Sequence, residues 1–349
     1  MVSEKILTIS IASYNAEKYL DKCLSSLVNA KSLDKLEIFI VNDGSTDNTL
    51  NIAQKYRRKY PGSVYVIDKE NGGHGSTINS SISASTAKYF KIVDADDWVE
   101  TDNLDKLIEF LSNTECDVVL NPYYEVNALN ESEKKLKLPH DLDEDYENTC
   151  INLNDFCKHI NLAMHSMTIK TEVVKKMGPV IDEHCFYVDL EYILLPFLYM
   201  NTVSVLKYPI YDYLLGTATQ SMNLKNLQKR RNQHLKVIER VIDFYEMNSS
   251  MLLGSEIGNL IKKRILSAIL LQYIIYLKME DKSVFDEYKS FDSWLNKTAP
   301  DLYEDFAKQT FNEGGAYLMI IKHLRRSRLS DYHLVTRFIQ FFNKIKNKG

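Results

Sequence analysis

Three aspartates, Asp94, Asp96 and Asp97, fall within four consecutive residues directly before a tryptophan. Crowded carboxylates repel one another, so such a cluster needs a cation or water to offset its charge. Oxygen ligands favour Mg²⁺ or Mn²⁺, which complete their coordination with phosphate oxygens and water. The cluster therefore predicts a divalent-metal site. A solvated acidic turn that caps the next helix is the alternative interpretation.

A second acidic turn, with the sequence Asn-Asp-Gly-Ser-Thr-Asp, runs from Asn42 to Asp47. Gly44 permits a tight turn, and the carboxylate of Asp43 can accept hydrogen bonds from a nucleobase. Taken alone, these residues are also explained by ordinary turn chemistry. The glycine-rich segment 71–79 adds backbone amides that can approach an anion at the start of a helix.

The first hundred residues alternate short β-branched runs with helical patterns, which is typical of parallel strands joined by crossover helices. The predicted strands are Leu7–Ala12, Glu37–Asn42, Ser63–Asp68 and Tyr89–Val93, and the predicted helices are Ala16–Val28, Thr46–Tyr60 with Ser45 or Thr46 as its cap, and Gly75–Ala84. Ligands bind at the carboxyl ends of the strands in a doubly wound sheet. The loops after these four strands are therefore expected to meet in one crevice.

After residue 100 the pattern becomes mixed and then entirely helical. The predictions are a strand over Asp117–Tyr124, an exposed loop or hairpin over Glu131–Glu147, a strand over Met164–Ile169 and a helix over Leu190–Met200. Beyond Asn223 strand patterns vanish. Long amphipathic stretches such as Gln228–Glu246 and Glu256–Leu277 predict an all-helical C-terminal region.

The composition narrows the classes of partner and compartment. The formal net charge of -4 gives no reason to expect a nucleic-acid partner. The five cysteines are odd in number and never form a C-x-x-C pair, so we expect free thiols in a reducing cytosol. No signal peptide or membrane-spanning run is predicted. We therefore expect a cytoplasmic protein, soluble or bound peripherally at the inner face of the cell membrane.

Three segments together carry a resemblance to a known family. ISIASYN at 9–15, VNDGSTDNT at 41–49 and KIVDADDW at 91–98 resemble, in this order and spacing, glycosyltransferase family 2, an inverting family with a GT-A fold. The resemblance covers about the first 215 residues. It implies an α/β fold with a mostly parallel sheet flanked by helices. The expected domains are a GT-A domain over 1–222, with a nucleotide-binding half 1–100 and an acceptor half 101–222, and a helical domain over 223–349.

The resemblance also implies roles for residues in these motifs. Ser13, Tyr14 and Asn15 are expected in the nucleotide pocket, and Asp43 is expected to contact the base. Asp94 and Asp96, with Ala95 between them, form the D-x-D pair expected to bridge ribose, metal and diphosphate. A divalent cation (Mn²⁺ or Mg²⁺) stabilises the charge that develops on a leaving diphosphate.

The glycine-rich segment departs from the family pattern N-x-G-x-x-x-A-R-N. Asn71, Gly73 and Asn79 remain, but Thr77 and Ile78 replace the Ala-Arg pair, so one expected charged contact is missing. Gly73 and Asn79 are expected to bind the nucleotide sugar. His74 is a candidate donor to the sugar or phosphate, and a solvated loop histidine is the alternative.

Transfer also needs a base that takes the proton from the acceptor hydroxyl. The segment Phe186–Tyr192 resembles the family's E-D-x-E segment, with Val188 in place of the first acid. Asp189 and Glu191 are two residues apart and point to different sides of a helix, so only one can face the reaction centre. We choose Asp189. A simple helix cap at Asp189 is the alternative and is compatible with this role.

Two further regions are candidates for the acceptor, a lid or a surface contact. His165 and Ser166 are expected near the acceptor, and the segment 217–221, including Gln220 and Ser221, resembles a loop that closes over the donor. The C-terminal end combines basic and apolar residues: Lys322, Arg325, Arg326, Arg328, Arg337, Lys344, Lys346 and Lys348, with Phe338, Ile339, Phe341, Phe342 and Ile345. It predicts peripheral membrane contact, an ordinary bundle helix or a homo-oligomer contact.

The predicted activity is inverting transfer of a sugar, from a UDP-sugar or another nucleotide-diphosphate donor, to a hydroxyl on a glycan, glycolipid or glycoprotein. Bacterial cell-surface polysaccharide or glycoconjugate synthesis is the expected setting. A catalytically inactive sugar-nucleotide-binding module is one alternative. A sugar nucleotidyltransferase is another, disfavoured because the loop after the first strand lacks glycines and basic residues.

Overall fold

The computed structural model describes residues 4–141, 149–178, 180–217, 221, 223–279, 281, 283–327, 329, 332–337 and 339. The chain divides into two compact units, Met1–Gln220 and Ser221–Gly349. The division lies two residues before the boundary expected from the sequence.

Four parallel strands form the first part of the sheet in the first unit. They are β1 (Leu7–Ser13), β2 (Leu36–Asp43), β3 (Val64–Lys69) and β4 (Tyr89–Asp94). Their order in the sheet is β3-β2-β1-β4. Each predicted strand is present, and each continues one residue further at its carboxyl end than expected. The chain therefore stays extended up to the polar residues that follow each apolar run.

The remaining strands complete this sheet and build a second one. They are β5 (Trp98–Val99), β6 (Val118–Leu120), β7 (Tyr123–Asn127), β8 (Asn130–Lys137), β9 (Ile151–Asn152), β10 (Met167–Lys170), β11 (Thr202–Val205) and β12 (Tyr211–Leu215). The first sheet continues as β4-β10-β6-β11-β9, with β10 antiparallel to both neighbours. The second sheet has the order β5-β12-β7-β8.

Two strand predictions need correction. The single strand expected over Asp117–Tyr124 is two strands in different sheets, β6 and β7, separated at Asn121 and Pro122. Proline has no N–H for a ladder, so the change of sheet at this point is expected from its chemistry. The strand expected from Met164 begins at Met167, after a 3₁₀ turn. Of the exposed loop or hairpin expected over Glu131–Glu147, residues 131–137 lie in β8, which pairs with β7 in a hairpin that begins earlier, at Tyr123. Residues 142–148 lie outside the described residues.

The helices of the first unit are α1 (Leu20–Val28), α2 (Thr49–Lys59), α3 (His74–Ala84), α4 (Thr101–Asn113), α5 (Leu153–Phe156), α6 (Thr171–Met177) and α7 (Asp189–Leu194). Helix α2 begins later than predicted, and Asp47, not Ser45 or Thr46, accepts the hydrogen bond from the Thr49 amide. The long helix expected up to Met200 ends at Leu194, because Pro196 lies at the start of a 3₁₀ turn over Leu195–Tyr199.

Both faces of the parallel strands are covered. Leu7, Ile9 and Ile11 pack in one apolar cluster with residues of α1, α2 and α4. On the opposite face the Ser10 hydroxyl lies 2.7 Å from the Ser81 hydroxyl of α3. Successive side chains of a strand point to opposite faces, so this coverage buries the strands along almost their whole length. The predicted α/β class, with a helical region after it, is confirmed.

The second unit is helical where it is described. Its helices are α8 (Leu224–Lys229), α9 (Arg231–Met247), α10 (Ser249–Leu252), α11 (Glu256–Leu277), α12 (Val284–Thr298), α13 (Pro300–Lys308) and α14 (Phe311–Arg326). Helix α11 has the predicted bounds. Arg325 is not a surface cation as expected, because its guanidinium donates to Asp292 at 2.8 Å and stacks over Tyr303 at 3.7 Å. Among the described helices, none combines the length and apolar character that crossing a bilayer requires.

The cysteines differ in part from the expectation of five free thiols. Cys116 and Cys150 form a disulfide with their Cα atoms 5.8 Å apart, whereas Cys23, Cys157 and Cys185 are free and buried. The two bonded residues are 34 positions apart, and only the fold places them within disulfide reach. The expectation was therefore wrong for this pair.

Candidate active site

The loops after the parallel strands are joined to one another by hydrogen bonds. The Asn15 side chain, after β1, accepts from the Thr46 amide at 2.9 Å, and the Asn15 amide donates to the Ser45 hydroxyl. Asp47 accepts from the Glu17 amide at 3.1 Å. These bonds hold the loops after β1 and β2 together at the carboxyl edge of the sheet. Asn15, expected in the nucleotide pocket, therefore joins the two loops by hydrogen bonds.

Ser13 and Tyr14 directly precede Asn15 at the end of β1. The Ser13 hydroxyl is buried and has no hydrogen-bond partner among the described residues. The Tyr14 side chain, in contrast, is 56% exposed, which is unusual for a large aromatic residue. An unsatisfied hydroxyl beside an exposed ring is a suitable surface for a ligand with both polar and flat apolar parts.

The carboxylate of Asp43 binds the glycine-rich segment. It accepts from the Gly72 and Gly73 amides, both at 2.8 Å, and from the Lys69 ammonium at 2.9 Å. The glycine amides were expected to approach an anion, and the anion that these two contact is Asp43 itself. Asp43 is only 3% exposed, so its contact with a base stays a prediction.

The glycine-rich segment also packs against the chain that leads to Asp189. The Asn79 side chain donates to the Ile181 carbonyl at 2.9 Å and accepts from the Ile181 amide at 3.2 Å. Both polar atoms of the Asn79 side chain thus have partners within the protein, and its role in ligand binding stays a prediction. A Cβ at Gly75 would lie 2.0 Å from the Asp182 carbonyl oxygen, so this glycine permits close packing. Ile78, where the family pattern has arginine, is fully buried.

The acidic cluster after β4 separates into two kinds of carboxylate. Asp94 and Asp96 are partly exposed, whereas Asp97 is buried. Burial and the Asp94 charge raise the pKa of Asp96 to about 6. Burial raises the pKa of Asp94, the nearby His74 lowers it, and the charge of Asp189 raises it further. The last effect means that Asp189, 95 residues away in sequence, lies within electrostatic range of the cluster.

Asp97 is held by the second sheet. Its carboxylate accepts from the Tyr211 hydroxyl at 2.5 Å and from the Leu214 amide at 2.7 Å. The Tyr211 hydroxyl in turn accepts from the Asp94 amide at 3.0 Å. Burial and the neighbouring Asp96 and Asp94 raise the pKa of Asp97 well above its usual range. The sequence carries no signal for this pairing, because Asp97 and Tyr211 are 114 residues apart.

We expect Tyr211→Phe to destabilise the first unit. The substitution removes the hydroxyl that satisfies both buried Asp97 and the Asp94 amide, and an unsatisfied buried polar group costs about 1–3 kcal/mol. The free energy of unfolding in urea measures the loss. Tyr213→Phe, which removes a half-buried hydroxyl two residues along the same strand, is the matched control. Equal losses in the two variants would contradict the bridging role.

His74 and His165 both lie beside the acidic cluster. His74 Nε2 is 3.4 Å from Asp94 Oδ1. His165, expected near the acceptor, offers a ring nitrogen that lies within 4.8 Å of ligand oxygens of Asp94 and Asp97. It stacks on Tyr213 at 4.2 Å. Burial and the charge of Lys91 lower the pKa of His165 to about 3, so its ring is neutral at neutral pH.

Ser166 does not share this position. It is fully buried, and its hydroxyl donates to the Ala163 carbonyl at 2.8 Å. Its carbonyl accepts from the Asn121 amide at 3.0 Å. The expected acceptor role of Ser166 is therefore not supported by its contacts. Gln220 lies outside the described residues, and Ser221 is the first residue of the second unit.

Asp189 and Glu191 differ in their exposure to solvent, as expected for two residues on different sides of a helix. Asp189 is exposed in the first turn of α7, and Val188, not Asp189, occupies the cap position. Glu191 is fully buried and accepts from the Asp182 amide at 2.9 Å. Of the two carboxylates, Asp189 is the one accessible to a substrate. Glu191 instead fixes the segment that precedes α7.

Residues 8–177 match the family model described as Glycosyl transferase family 2. The chain is 34% identical over 133 residues to Glycosyltransferase GlyA of Streptococcus pneumoniae serotype 4. The matched segment covers 38% of this chain and 18% of that protein. It is 33% identical over 125 residues to the Poly(ribitol-phosphate) beta-glucosyltransferase of Bacillus spizizenii. This second match covers 35% of this chain and 20% of that protein. The matches thus span a fifth or less of the length of these relatives.

Among solved structures, the chain resembles Staphylococcus aureus TarS 1–349, crystallised in complex with UDP-GlcNAc. The TM-score is 0.61 at 16% sequence identity, and the match covers 93% of this chain and 92% of that one. At this identity the likeness establishes the fold. The second, helical region is included in the match, as its coverage shows.

Proposed function

We propose, on the premise that residues 8–177 belong to glycosyl transferase family 2, that this chain transfers a sugar from a nucleotide-diphosphate donor to an acceptor hydroxyl with inversion. The observation that carries the proposal is the pair of partly exposed carboxylates, Asp94 and Asp96, at the carboxyl end of β4 within the segment that matches the family. An exposed carboxylate suited to take a proton, that of Asp189, lies near the carboxylates suited to bind a diphosphate through a cation. Both are at the carboxyl edge of the sheet, where such folds bind ligands.

The nucleoside is proposed to lie at the ends of β1 and β2. Tyr14 offers an exposed ring for stacking on the base, and Ser13 offers its unsatisfied hydroxyl. Asp43 is proposed to accept from the base. The solved structure with the same fold contains UDP-GlcNAc. We therefore propose a UDP-sugar as the donor of this chain.

The residues beside β4 fit a divalent cation. Asp94 and Asp96 supply carboxylate oxygens. Burial raises both pKa values, and a nearby carboxylate raises each further, Asp189 for Asp94 and Asp94 for Asp96, while His74 offsets the charge only in part. His165 adds a neutral ring nitrogen within 4.8 Å of Asp94 and Asp97 ligand oxygens. We propose that Asp94 and Asp96 hold Mn²⁺ or Mg²⁺. The ion would stabilise negative charge on the diphosphate leaving group.

The proton transfer is proposed to use Asp189. The acceptor hydroxyl attacks the anomeric carbon from the face opposite the diphosphate, its proton passes to the Asp189 carboxylate, and the sugar–phosphate bond breaks. The products are the glycosylated acceptor and a nucleoside diphosphate. His74, 3.4 Å from Asp94, is proposed to donate to the sugar or phosphate. Gly73 is proposed to line the same pocket through its contact with Asp43.

Metal affinity is expected to fall as the pH is lowered from 7.5 to 5.5. Because the pKa of Asp96 is raised to about 6, this carboxylate becomes mainly protonated over that range and loses its ligand form. Protonation of Asp96 alone is expected to lower the Mn²⁺ affinity about fourfold between these two pH values. The stability of the metal-free protein is expected to change in the opposite direction and to increase as the pH is lowered. A raised acid pKa gives stability that is present at low pH and lost as the pH rises through about 6.

Calorimetric titration with Mn²⁺ at the two pH values measures the affinity, and urea unfolding without metal measures the stability. Asp96→Asn, which does not titrate, should show a flatter pH dependence of both. A wild-type affinity that is constant from pH 7.5 to 5.5 would contradict the involvement of Asp96.

The activity itself is tested by incubating the purified chain with Mn²⁺, a panel of UDP-sugars and glycan acceptors. Release of UDP that depends on the acceptor, with NMR assignment of the new anomeric configuration, would support inverting transfer. Binding of the nucleotide without release of product would favour a catalytically inactive module instead. We propose acceptors of the cell-surface glycan, glycolipid or glycoprotein class, in view of the polymer named for the Bacillus spizizenii relative.

We also propose that the chain works in the cytoplasm, at the inner face of the membrane. The C-terminal helices are the proposed contact with the membrane or with a second copy, but Arg328, Phe338 and residues 341–349 lie outside the described residues. Sedimentation of the chain with anionic vesicles tests the membrane contact. Its mass in solution tests the second copy.

A further inference from the structure

Lys69, the last residue of β3, joins three parts of the candidate site. Its ammonium donates to Asp43 Oδ1 at 2.9 Å, to the Ser76 hydroxyl at 2.9 Å and to the Glu70 carbonyl at 2.6 Å. These acceptors belong to the end of β2, the first turn of α3 and the loop between β3 and α3. An ammonium has three N–H donors, so the three contacts use all of them.

Asp43 needs a positive charge nearby because its carboxylate is buried. An ionised carboxylate removed from water costs free energy unless it is paired and hydrogen-bonded. Lys69 supplies the charge, and the Gly72 and Gly73 amides supply hydrogen bonds at 2.8 Å. The orientation of the Asp43 carboxylate and the position of the glycine-rich loop therefore depend on the same set of contacts.

We infer that Lys69 is a positioning residue for the nucleobase, which it does not itself touch. It fixes the Asp43 carboxylate in place and holds the loop 71–76 against it. This inference rests on the proposed function, because it assumes that a nucleotide binds at the ends of β1 and β2.

The contacts of Asp43 also indicate which base is accepted. Lys69 and Gly72 donate to Oδ1, and the Ser76 hydroxyl, 3.3 Å from Oδ1, donates instead to the Gly73 carbonyl at 2.9 Å. Among the described residues Gly73 alone donates to Oδ2. A carboxylate oxygen has two lone pairs, so Oδ2 keeps one position for a ligand donor. The ring N3–H of uracil is such a donor. The N3 of cytosine carries a lone pair and would be repelled.

The test compares Lys69→Met, Lys69→Arg and a control, Lys55→Met, whose lysine is exposed on α2. Calorimetry measures binding of UDP, CDP and inorganic pyrophosphate, each with Mn²⁺. We expect Lys69→Met to weaken UDP about 10-fold or more and to reduce the preference of UDP over CDP. Pyrophosphate affinity should fall less than UDP affinity, because pyrophosphate binds at the acidic cluster and depends on the loop only through His74. Lys69→Arg should recover most of the UDP affinity, and the control should match wild type.

Unchanged UDP affinity and preference in Lys69→Met would overturn the inference. An equal loss of UDP and pyrophosphate affinity would overturn it too, because that pattern indicates general structural damage. If Lys69→Met does not fold, Lys69→Gln, which keeps two donor hydrogens without the charge, replaces it with the same expected pattern. Failure of wild type to bind UDP contradicts the proposed function instead. Hydrogen exchange at Gly72 and Gly73 then still decides whether Lys69 holds the loop, with faster exchange expected in the variant.

Discussion

Asp189→Asn is expected to lower turnover by about 10²- to 10⁴-fold while donor affinity stays close to that of wild type. The substitution keeps the size of the side chain and removes its ability to take a proton. Asp189 is exposed and forms no cap of α7, so little structure depends on its charge. Steady-state kinetics with saturating donor and acceptor measure the turnover, and calorimetry with UDP and Mn²⁺ measures the affinity.

The matched control for this variant is Asp155→Asn. Asp155 is also exposed and lies in the first turn of the short helix α5, so the control removes the same charge from the same kind of position. We expect its turnover to match wild type. Wild-type turnover in Asp189→Asn would place the base at another residue. A parallel loss of UDP affinity and turnover would assign Asp189 to donor binding.

Asp96→Ala is expected to abolish the metal dependence of donor binding and to lower transfer by about 10²- to 10³-fold. Asp96 is partly exposed, and burial together with repulsion from Asp94 raises its pKa to about 6; a cation would relieve the repulsion. Wild type should bind a UDP-sugar more weakly after chelation, whereas the variant should bind it weakly both with and without Mn²⁺. Chelation should also stop transfer by wild type.

Asp102→Ala serves as the control, because Asp102 is an exposed aspartate in the first turn of α4, a few residues after the cluster. It should keep the wild-type response to Mn²⁺ and to chelator. Transfer that continues undiminished in Asp96→Ala, or in wild type after chelation, would exclude the proposed metal role. A variant that keeps its response to Mn²⁺ would point to a different pair of carboxylates.

Local patterns were sufficient to predict most of the elements. The four parallel strands and α11 follow from side-chain periodicity, which each segment carries by itself. Errors occurred where one residue overrides the pattern, as at Pro122 and Pro196. The metal-binding role of the acidic cluster stays a prediction, and its division into partly exposed Asp94 and Asp96 and buried Asp97 depends on β12, which is distant in sequence.

Contacts between distant segments were not predictable in the same way. Lys69 is one of many lysines in the sequence, and nothing in its surroundings there indicates that it contacts Asp43. His165 was assigned to the acceptor because it interrupts an apolar pattern, and only the fold places it beside Asp94. Asn79 matched a family motif, yet its side chain contacts Ile181. Each case needs the three-dimensional register of two elements, which single-sequence patterns do not contain.

The close packing at Gly75 has a consequence for building hybrid proteins. Segment 181–185 fits against the glycine-rich loop so closely that one added methyl group at Gly75 would meet a carbonyl oxygen at 2.0 Å. A chimaera that takes its first hundred residues from a relative would bring a loop shaped for another neighbour. In such a chimaera, residues 181–189 should therefore come from the same parent protein as the N-terminal half.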